Sequence, residues 1–171
     1  QLSWAVGQVD FARNRRAAWG GPVDHALPVL FVHDRQGKLR GVYANYACHA
    51  TTLNFNRIHG DWPGTAMAAI EREYPGVTAL VSIGCGADQN PHPRGTVELA
   101  DRHGMAVAAE VSRLLATERK VIGGPLAARE KSLQLPLESL PSREEYQKLA
   151  QSSSPSVAYA AAKNLARLDR G

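Results

Sequence analysis

The sequence has few cysteines and no long apolar segment. Only two of its 171 residues are cysteines, Cys48 and Cys85, and they do not form a CxxC pair. Two cysteines are too few for a disulfide framework, so a disulfide-stapled miniprotein is excluded, while a single bond stays open. No apolar run approaches the roughly 18 residues needed to cross a bilayer, and no signal peptide is visible. A composition of 44% hydrophobic and 21% charged residues indicates a folded globular domain instead.

Two nucleotide-binding or catalytic motifs are also missing. The glycine-rich stretch 84–95 contains neither Gly-Lys-Ser/Thr nor Gly-x-Ser-x-Gly. This excludes a phosphate-binding P-loop and gives no support to the nucleophile elbow of α/β-hydrolases. The chain is mildly basic, with a net charge of +4 and a pI of about 9.3. Arg13, Arg15 and Arg16 cluster without interleaved aromatic residues, so we do not expect a nucleic-acid partner.

Strand-like and helix-like patterns alternate through the middle of the chain. Apolar runs predict two strands over residues 26–33 and 39–48, which form a hairpin or lie as neighbours, followed by a helix over 61–74 that starts at Asp61 as N-cap. A buried strand is predicted over 77–83. Because a helix between two strands can form a crossover between parallel strands, the predicted fold class is α/β, a mixed sheet with crossover helices.

Other elements are predicted around this centre. The same periodicity and turn signals predict the remaining elements. These are a strand at 4–9, loops at 13–16 and 84–95, a helix at 97–117, one or two strands within 121–137, a capped helix after Pro141 and a final Ala-rich helix. The loops after Cys48 and Ile83 both begin at strand ends, where α/β proteins place their ligands. We therefore expect these two loops to lie side by side.

His49 is the first candidate for chemistry. It stands where a predicted strand runs into a polar loop, and neutral imidazole is the commonest protein ligand for zinc. On spacing alone, a hydrogen-bonded structural histidine is the simpler interpretation. Ten residues further, His59 could be a second ligand and Asp61 could orient one, but we favour an exposed His59 and a structural Asp61.

The loop after Ile83 is the second candidate. Its glycines allow close backbone approach to a ligand, and its N–H groups could stabilise an oxyanion. Cys85 is a conceivable nucleophile, and Asp88 a conceivable base or ligand. An ordinary glycine-rich connection between a strand and a helix explains the same residues.

Taken in order, the motifs resemble the neutral/alkaline non-lysosomal ceramidase family. The resemblance covers roughly residues 5 to 115 and rests on the order and spacing of short segments more than on any one of them. These segments are Asn14-Arg15, Val23-Asp24, 28–30, 45–51, 60–64 and 84–88.

The resemblance implies a segment of a larger α/β hydrolase that cleaves the amide bond of N-acylsphingosines or related N-acyl substrates with one zinc ion. It implies that His49, in His49-Ala50-Thr51-Thr52, is a zinc ligand, and that the remaining ligands lie outside this sequence. It places a substrate-contacting arginine at Arg15. Given such a site, Asp88 is the candidate for accepting or relaying a proton. The family's loop serine is absent here, where the chain reads Gly-Ala-Asp-Gln-Asn-Pro over 86–91.

Domain limits, substrate and compartment stay open at this level. Residues 1–120 are expected to form the central part of a ceramidase-like catalytic domain, and residues 121–171 its continuation. The resemblance suggests a secreted or periplasmic protein, and the expected partner is a small-molecule or lipid amide. The alternatives are a zinc hydrolase of a non-lipid amide or ester, a non-catalytic binding domain on the same scaffold, and a nucleic-acid-binding module suggested only by the pI.

Overall fold

The computed structural model describes residues 1–16, 20–125 and 127–170. Two compact units are present, Gln1–Leu126 and Ala127–Gly171. Four helices and seven strands are assigned within the described residues: β1 (Leu2–Gln8), β2 (Ala12–Asn14), β3 (Ala26–His33), β4 (Leu39–Tyr46), α1 (Asp61–Glu73), β5 (Thr78–Ile83), β6 (Gln89–Pro91), α2 (Val97–Leu115), β7 (Lys120–Ile122), α3 (Arg143–Leu149) and α4 (Pro155–Leu168).

A five-stranded mixed sheet forms the centre of the first unit, in the order β5-β4-β3-β1-β7. β3 and β4 pair antiparallel, which confirms the predicted hairpin. β4 and β5 pair in parallel, with Gly41 opposite Thr78 and Tyr46 opposite Ile83, and α1 is the crossover between them. The α/β prediction of a mixed sheet with a crossover helix is therefore confirmed.

One face of this sheet carries the core. Leu27, Val29 and Phe31 alternate along β3 at no more than 1% exposure, because successive side chains of a strand point to opposite faces. From the helices, Trp62, Ile70 and Val107 join the same buried cluster. α1 and α2 pack closely at Gly104, where a Cβ would lie 2.7 Å from the carbonyl oxygen of Trp62.

A second, two-stranded sheet pairs β2 with β6 antiparallel, Asn14 lying opposite Gln89. Residues 13–16 and 84–95 were both predicted to be loops, and each prediction is wrong where these short strands form. The buried phenol of Tyr46 positions β2, donating to the Val9 carbonyl at 2.9 Å and accepting from the Ala12 amide at 3.2 Å. Such a pairing depends on residues 75 positions apart, so neither segment shows it locally.

Helix starts were predicted with mixed success. The capping box of α3 is present, with Ser142 and Glu145 exchanging hydrogen bonds. The prediction that Asp61 is the N-cap of α1 is wrong: Gly60 is the N-cap, and Asp61 is the first helical residue with a φ of 51°. The Asp61 carboxylate instead accepts hydrogen bonds from the amides of Leu53 at 2.9 Å and Trp62 at 2.7 Å.

The second unit contains α3 and α4, with Tyr146 and Ala161 buried. Of the strands predicted within 121–137, the described residues form only β7 at 120–122. Leu133, Leu135 and Leu137 have strand-like alternation, but each is at least 68% exposed. A strand needs a hydrogen-bonded neighbour, and no described strand pairs with this segment.

Candidate functional site

The carboxyl ends of β4 and β5 bring two loops together, which confirms that the loops after Cys48 and Ile83 are neighbours. We call residues 47–60 the β4 loop and residues 84–88 the β5 loop. The amide of Gly84 donates to the Tyr46 carbonyl at 2.9 Å, and the amide of His49 donates to the Gln89 carbonyl at 2.9 Å. These bonds follow directly from the parallel pairing, because parallel strands end on the same edge of a sheet.

Arg15 and His49 both point at the carbonyl oxygen of Ala87 in the β5 loop. The Nε and Nη2 atoms of Arg15 each donate to it at 3.1 Å, and Nε2 of His49 lies 3.3 Å away. With Nε2 protonated as the donor, Nδ1 of His49 carries the lone pair, and no described residue hydrogen-bonds it. A ring held by a backbone carbonyl at one nitrogen and open at the other matches the usual setting of a metal-ligating histidine.

Asp88 is held beside this point by Asn14. One carboxylate oxygen, Oδ2, accepts a hydrogen bond from Nδ2 of Asn14 at 2.9 Å, and the same amide group donates to the Pro22 carbonyl at 3.0 Å. The backbone of Arg15 also contacts this residue, because its amide donates a hydrogen bond to the Asp88 carbonyl at 2.7 Å. The structure thus gathers Arg15, His49 and Asp88, three of the candidate residues named from the sequence, around the β5 loop.

Asn14 is a residue that sequence reasoning missed as part of this site. It is 8% exposed, between the exposed Arg13 and Arg15. The alternation of a strand explains this arrangement, and it was hidden because the segment was predicted to be a loop. The Asn-Arg motif itself was the available signal.

Trp62 and Asp61 hold the β4 loop in place through hydrogen bonds to its backbone. The indole N–H of the fully buried Trp62 donates to the His49 carbonyl at 2.9 Å. Asp61 is 6% exposed and its carboxylate is used by the backbone amides of Leu53 and Trp62, so its role in the structure is to shape the loop. His59 is exposed, and its Nδ1 accepts the Asp61 amide at 2.9 Å.

The two cysteines at the site are free thiols in different surroundings. Cys48 is buried at the start of the β4 loop, whereas Cys85 is exposed in the β5 loop. Burial, and to a smaller extent the nearby charge of Asp61, raise the pKa of the Cys48 thiol from 9.0 to about 12. The Cys48 thiol is therefore neutral at physiological pH, which does not suit a nucleophile.

A complete metal shell is not formed by the described residues. Within 1–16, 20–125 and 127–170 there is no group of three or more His, Cys, Asp or Glu side chains placed to hold a metal ion. The described residues therefore do not surround His49 with two further donors of these types. In the same parts of the chain, no helix has the length and apolar character needed to span a bilayer.

The sequence matches no protein-family model and no curated protein. The structure is similar to a ceramidase solved in complex with C2, with a TM-score of 0.63 and 19% sequence identity. It is also similar to the neutral ceramidase from Pseudomonas aeruginosa, with a TM-score of 0.61 and 19% identity. Both comparisons cover 72% of this chain, but only 23% and 24% of the respective ceramidase chains. The chain thus has the fold of a segment of the neutral ceramidases, and it spans about a quarter of their length.

Proposed function

We propose that this chain is part of a zinc-dependent hydrolase that cleaves an amide bond in an N-acyl substrate, as ceramidases do. The observation that carries the proposal is the convergence of Arg15 and His49 on the Ala87 carbonyl, beside Asp88. It occurs at the carboxyl ends of two parallel strands, where α/β folds bind ligands. The ceramidase fold of the segment supports the same class of reaction.

His49 would supply one zinc ligand through Nδ1, and the remaining ligands would come from outside the described residues. When bound, zinc polarises a carbonyl and lowers the pKa of a bound water towards about 7. The contact from Nε2 to Ala87 would fix the ring for this purpose and strengthen its basicity.

Arg15 and Asp88 would then act on the substrate itself. The Nη1 group of Arg15 has no hydrogen bond from a described residue, because Nε and Nη2 hold the Ala87 carbonyl. This group is the part of the guanidinium that could stabilise the oxyanion that develops on the carbonyl oxygen of the amide. Asp88 has Oδ2 held by Asn14, which leaves Oδ1 to accept a proton from the attacking water.

The substrate need not be ceramide, because the β5 loop and β6 contain no serine where the resembling family has one. Asp88 or Gln89 stands in that neighbourhood, and Gln89 is 4% exposed, with its side-chain oxygen accepting the Asp24 amide at 3.2 Å. This buried structural role favours, as a second candidate, the same zinc chemistry on a non-lipid amide or ester.

Metal content tests the proposal most directly. The complete protein that carries this sequence would be dialysed and analysed for zinc as wild type, His49→Ala and the control His33→Ala. His33 ends β3 away from both loops, and its ring makes no hydrogen bond with a described residue. We expect about one zinc per chain in wild type and in His33→Ala, and a loss of most of it in His49→Ala.

Hydrolysis of a short-chain ceramide and of a simple acyl amide, followed by mass spectrometry, would accompany the metal analysis. Cleavage of the acyl amide alone would select the non-lipid substrate. Zinc that survives His49→Ala would contradict the metal role of His49. Absence of zinc and of hydrolysis in wild type would contradict the enzyme and favour a binding domain on the same scaffold.

A further inference from the structure

Arg13 is an exposed arginine next to the candidate site that the proposed mechanism does not use. It lies in the middle of β2, with the buried Asn14 between it and Arg15. Arg15 comes directly after β2, and its amide continues the backbone pairing by donating to the Asp88 carbonyl at 2.7 Å. Two exposed arginines therefore flank Asn14, the residue that holds Asp88.

The position of Arg13 is continuous with both loops. It lies opposite Asn90 in the β2–β6 pairing, and Oδ1 of Asn90 is 3.5 Å from the hydroxyl of Thr51. Thr51 belongs to the β4 loop, two residues after His49. A substrate held at His49 and Arg15 would thus extend towards Arg13.

Neither arginine is neutralised by a carboxylate of the described residues. Arg40, Arg113 and Arg143 each form an ion pair with an acidic side chain, but Arg13 and Arg15 form none. Asp88, the nearest acid to Arg15 in the β5 loop, is hydrogen-bonded to Asn14 instead. The positive charge on this face is left for a ligand.

The contact between Arg13 and His92 uses only one nitrogen of the Arg13 guanidinium. Nη1 of Arg13 lies 3.3 Å from Nε2 of His92, and no described residue hydrogen-bonds its Nε or Nη2. Those two N–H groups form the parallel fork that binds a carboxylate with two hydrogen bonds. His92, by accepting from Nη1 as a neutral ring, would hold the fork in place.

We propose that Arg13 forms a carboxylate-binding subsite, and that the substrates of this site are N-acyl amides whose amine half carries a carboxylate, as in N-acyl amino acids. The inference rests on the proposed amide-hydrolase function and specifies its substrate class. Arg15 acts at the scissile amide and Arg13 at the acid group a few bonds away.

A matched pair of ligands tests the subsite by binding, independently of turnover. Isothermal titration of the complete protein at neutral pH would compare N-hexanoylglycine with N-hexanoylethanolamine, which differ in the acid group. We expect the acid to bind about tenfold more tightly to wild type, to lose most of that preference in Arg13→Gln and to keep part of it in Arg13→Lys. Arg35→Gln is the control of equal charge change, since Arg35 is an exposed residue of the β3–β4 turn.

The outcomes separate this inference from the proposed function. Equal affinity for the two ligands in wild type, or a preference that persists in folded Arg13→Gln, would overturn the subsite. Loss of preference in Arg35→Gln as well would also overturn it, by showing a non-local charge effect. Hydrolysis of the two amides is measured separately: if the acid binds through Arg13 but neither amide is cleaved, the subsite stands and the hydrolase proposal fails.

Discussion

The β4 loop and the β5 loop form one site but are held in different ways. The β5 loop is fixed by its own backbone, with Gly86 donating to the Gly84 carbonyl at 2.7 Å and Gln89 to the Gly86 carbonyl at 2.9 Å. The β4 loop depends more on side chains: besides the backbone bond from His49 to Gln89, the Trp62 indole and the Asp61 carboxylate hold it, while residues 54–60 are all exposed. A rigid backbone turn thus lies beside a loop whose central residues are exposed. This combination suits a site that must admit a substrate, since low-stability segments commonly serve binding.

Gly86→Ala should have the largest effect, because it breaks the backbone-held side of this comparison. A Cβ at residue 86 would lie 2.7 Å from the amide nitrogen of Cys48 and 2.8 Å from the carbonyl carbon of Ala47. Backbone atoms cannot rotate away, so the loop must shift, at a cost of about 3 kcal/mol in the free energy of unfolding. Urea denaturation would measure the change.

Gly64→Ala is the control for this substitution. Gly64 lies within α1, and an added Cβ meets nothing within 4 Å outside the local helix backbone. Alanine there should leave the stability unchanged or raise it by roughly 0.5–1 kcal/mol. If the two glycine variants unfold at the same denaturant concentration, the β5 loop is not held as tightly as its contacts indicate.

Asp61→Ala should have an intermediate effect, because it releases the side-chain-held β4 loop. The change leaves the amides of Leu53 and Trp62 without their acceptor and puts alanine at a φ of 51°. We expect a loss of about 2 kcal/mol, and about half of that for Asp61→Asn, which keeps an acceptor oxygen and tolerates positive φ. Denaturation would give the loss, and hydrogen exchange at the Leu53 amide should quicken in Asp61→Ala more than in Asp61→Asn. Unchanged exchange at Leu53 would mean that something else fixes the loop.

Thr52→Val should change the stability least, and in the opposite direction to the other loop substitutions. Thr52 is 1% exposed, and its hydroxyl has no hydrogen-bond partner among the described residues. Valine has the same shape and removes the unsatisfied polar atom, so stability should stay the same or rise by up to about 1 kcal/mol. Thermal unfolding beside Thr52→Ser, which keeps the hydroxyl but loses the methyl group, checks this. A clear loss in Thr52→Val would indicate a partner for the hydroxyl, such as a bound water.

Predictability differed between parts of the chain for physical reasons. The hairpin of β3 and β4 and the crossover through α1 were predictable, because their apolar periods and the turn at 34–38 are local signals. The same patterns placed His49 and Asp88 at neighbouring strand ends. The role of Asp61 was not predictable in detail, since an aspartate before Trp62-Pro63 has the local pattern of an N-cap, and the hydrogen bond that decides otherwise comes from Leu53.

The sequence by itself determined the class of fold, the strand ends at which chemistry is expected and the resemblance that makes His49, Arg15 and Asp88 candidates. Only the tertiary structure decided that β2 pairs with β6, that Asn14 holds Asp88, and that Arg15 and His49 share the Ala87 carbonyl. The physical reason is that periodicity, capping and turn signals act over a few residues. Hydrogen bonds between positions 38 to 74 residues apart exist only once the sheet has brought those positions together.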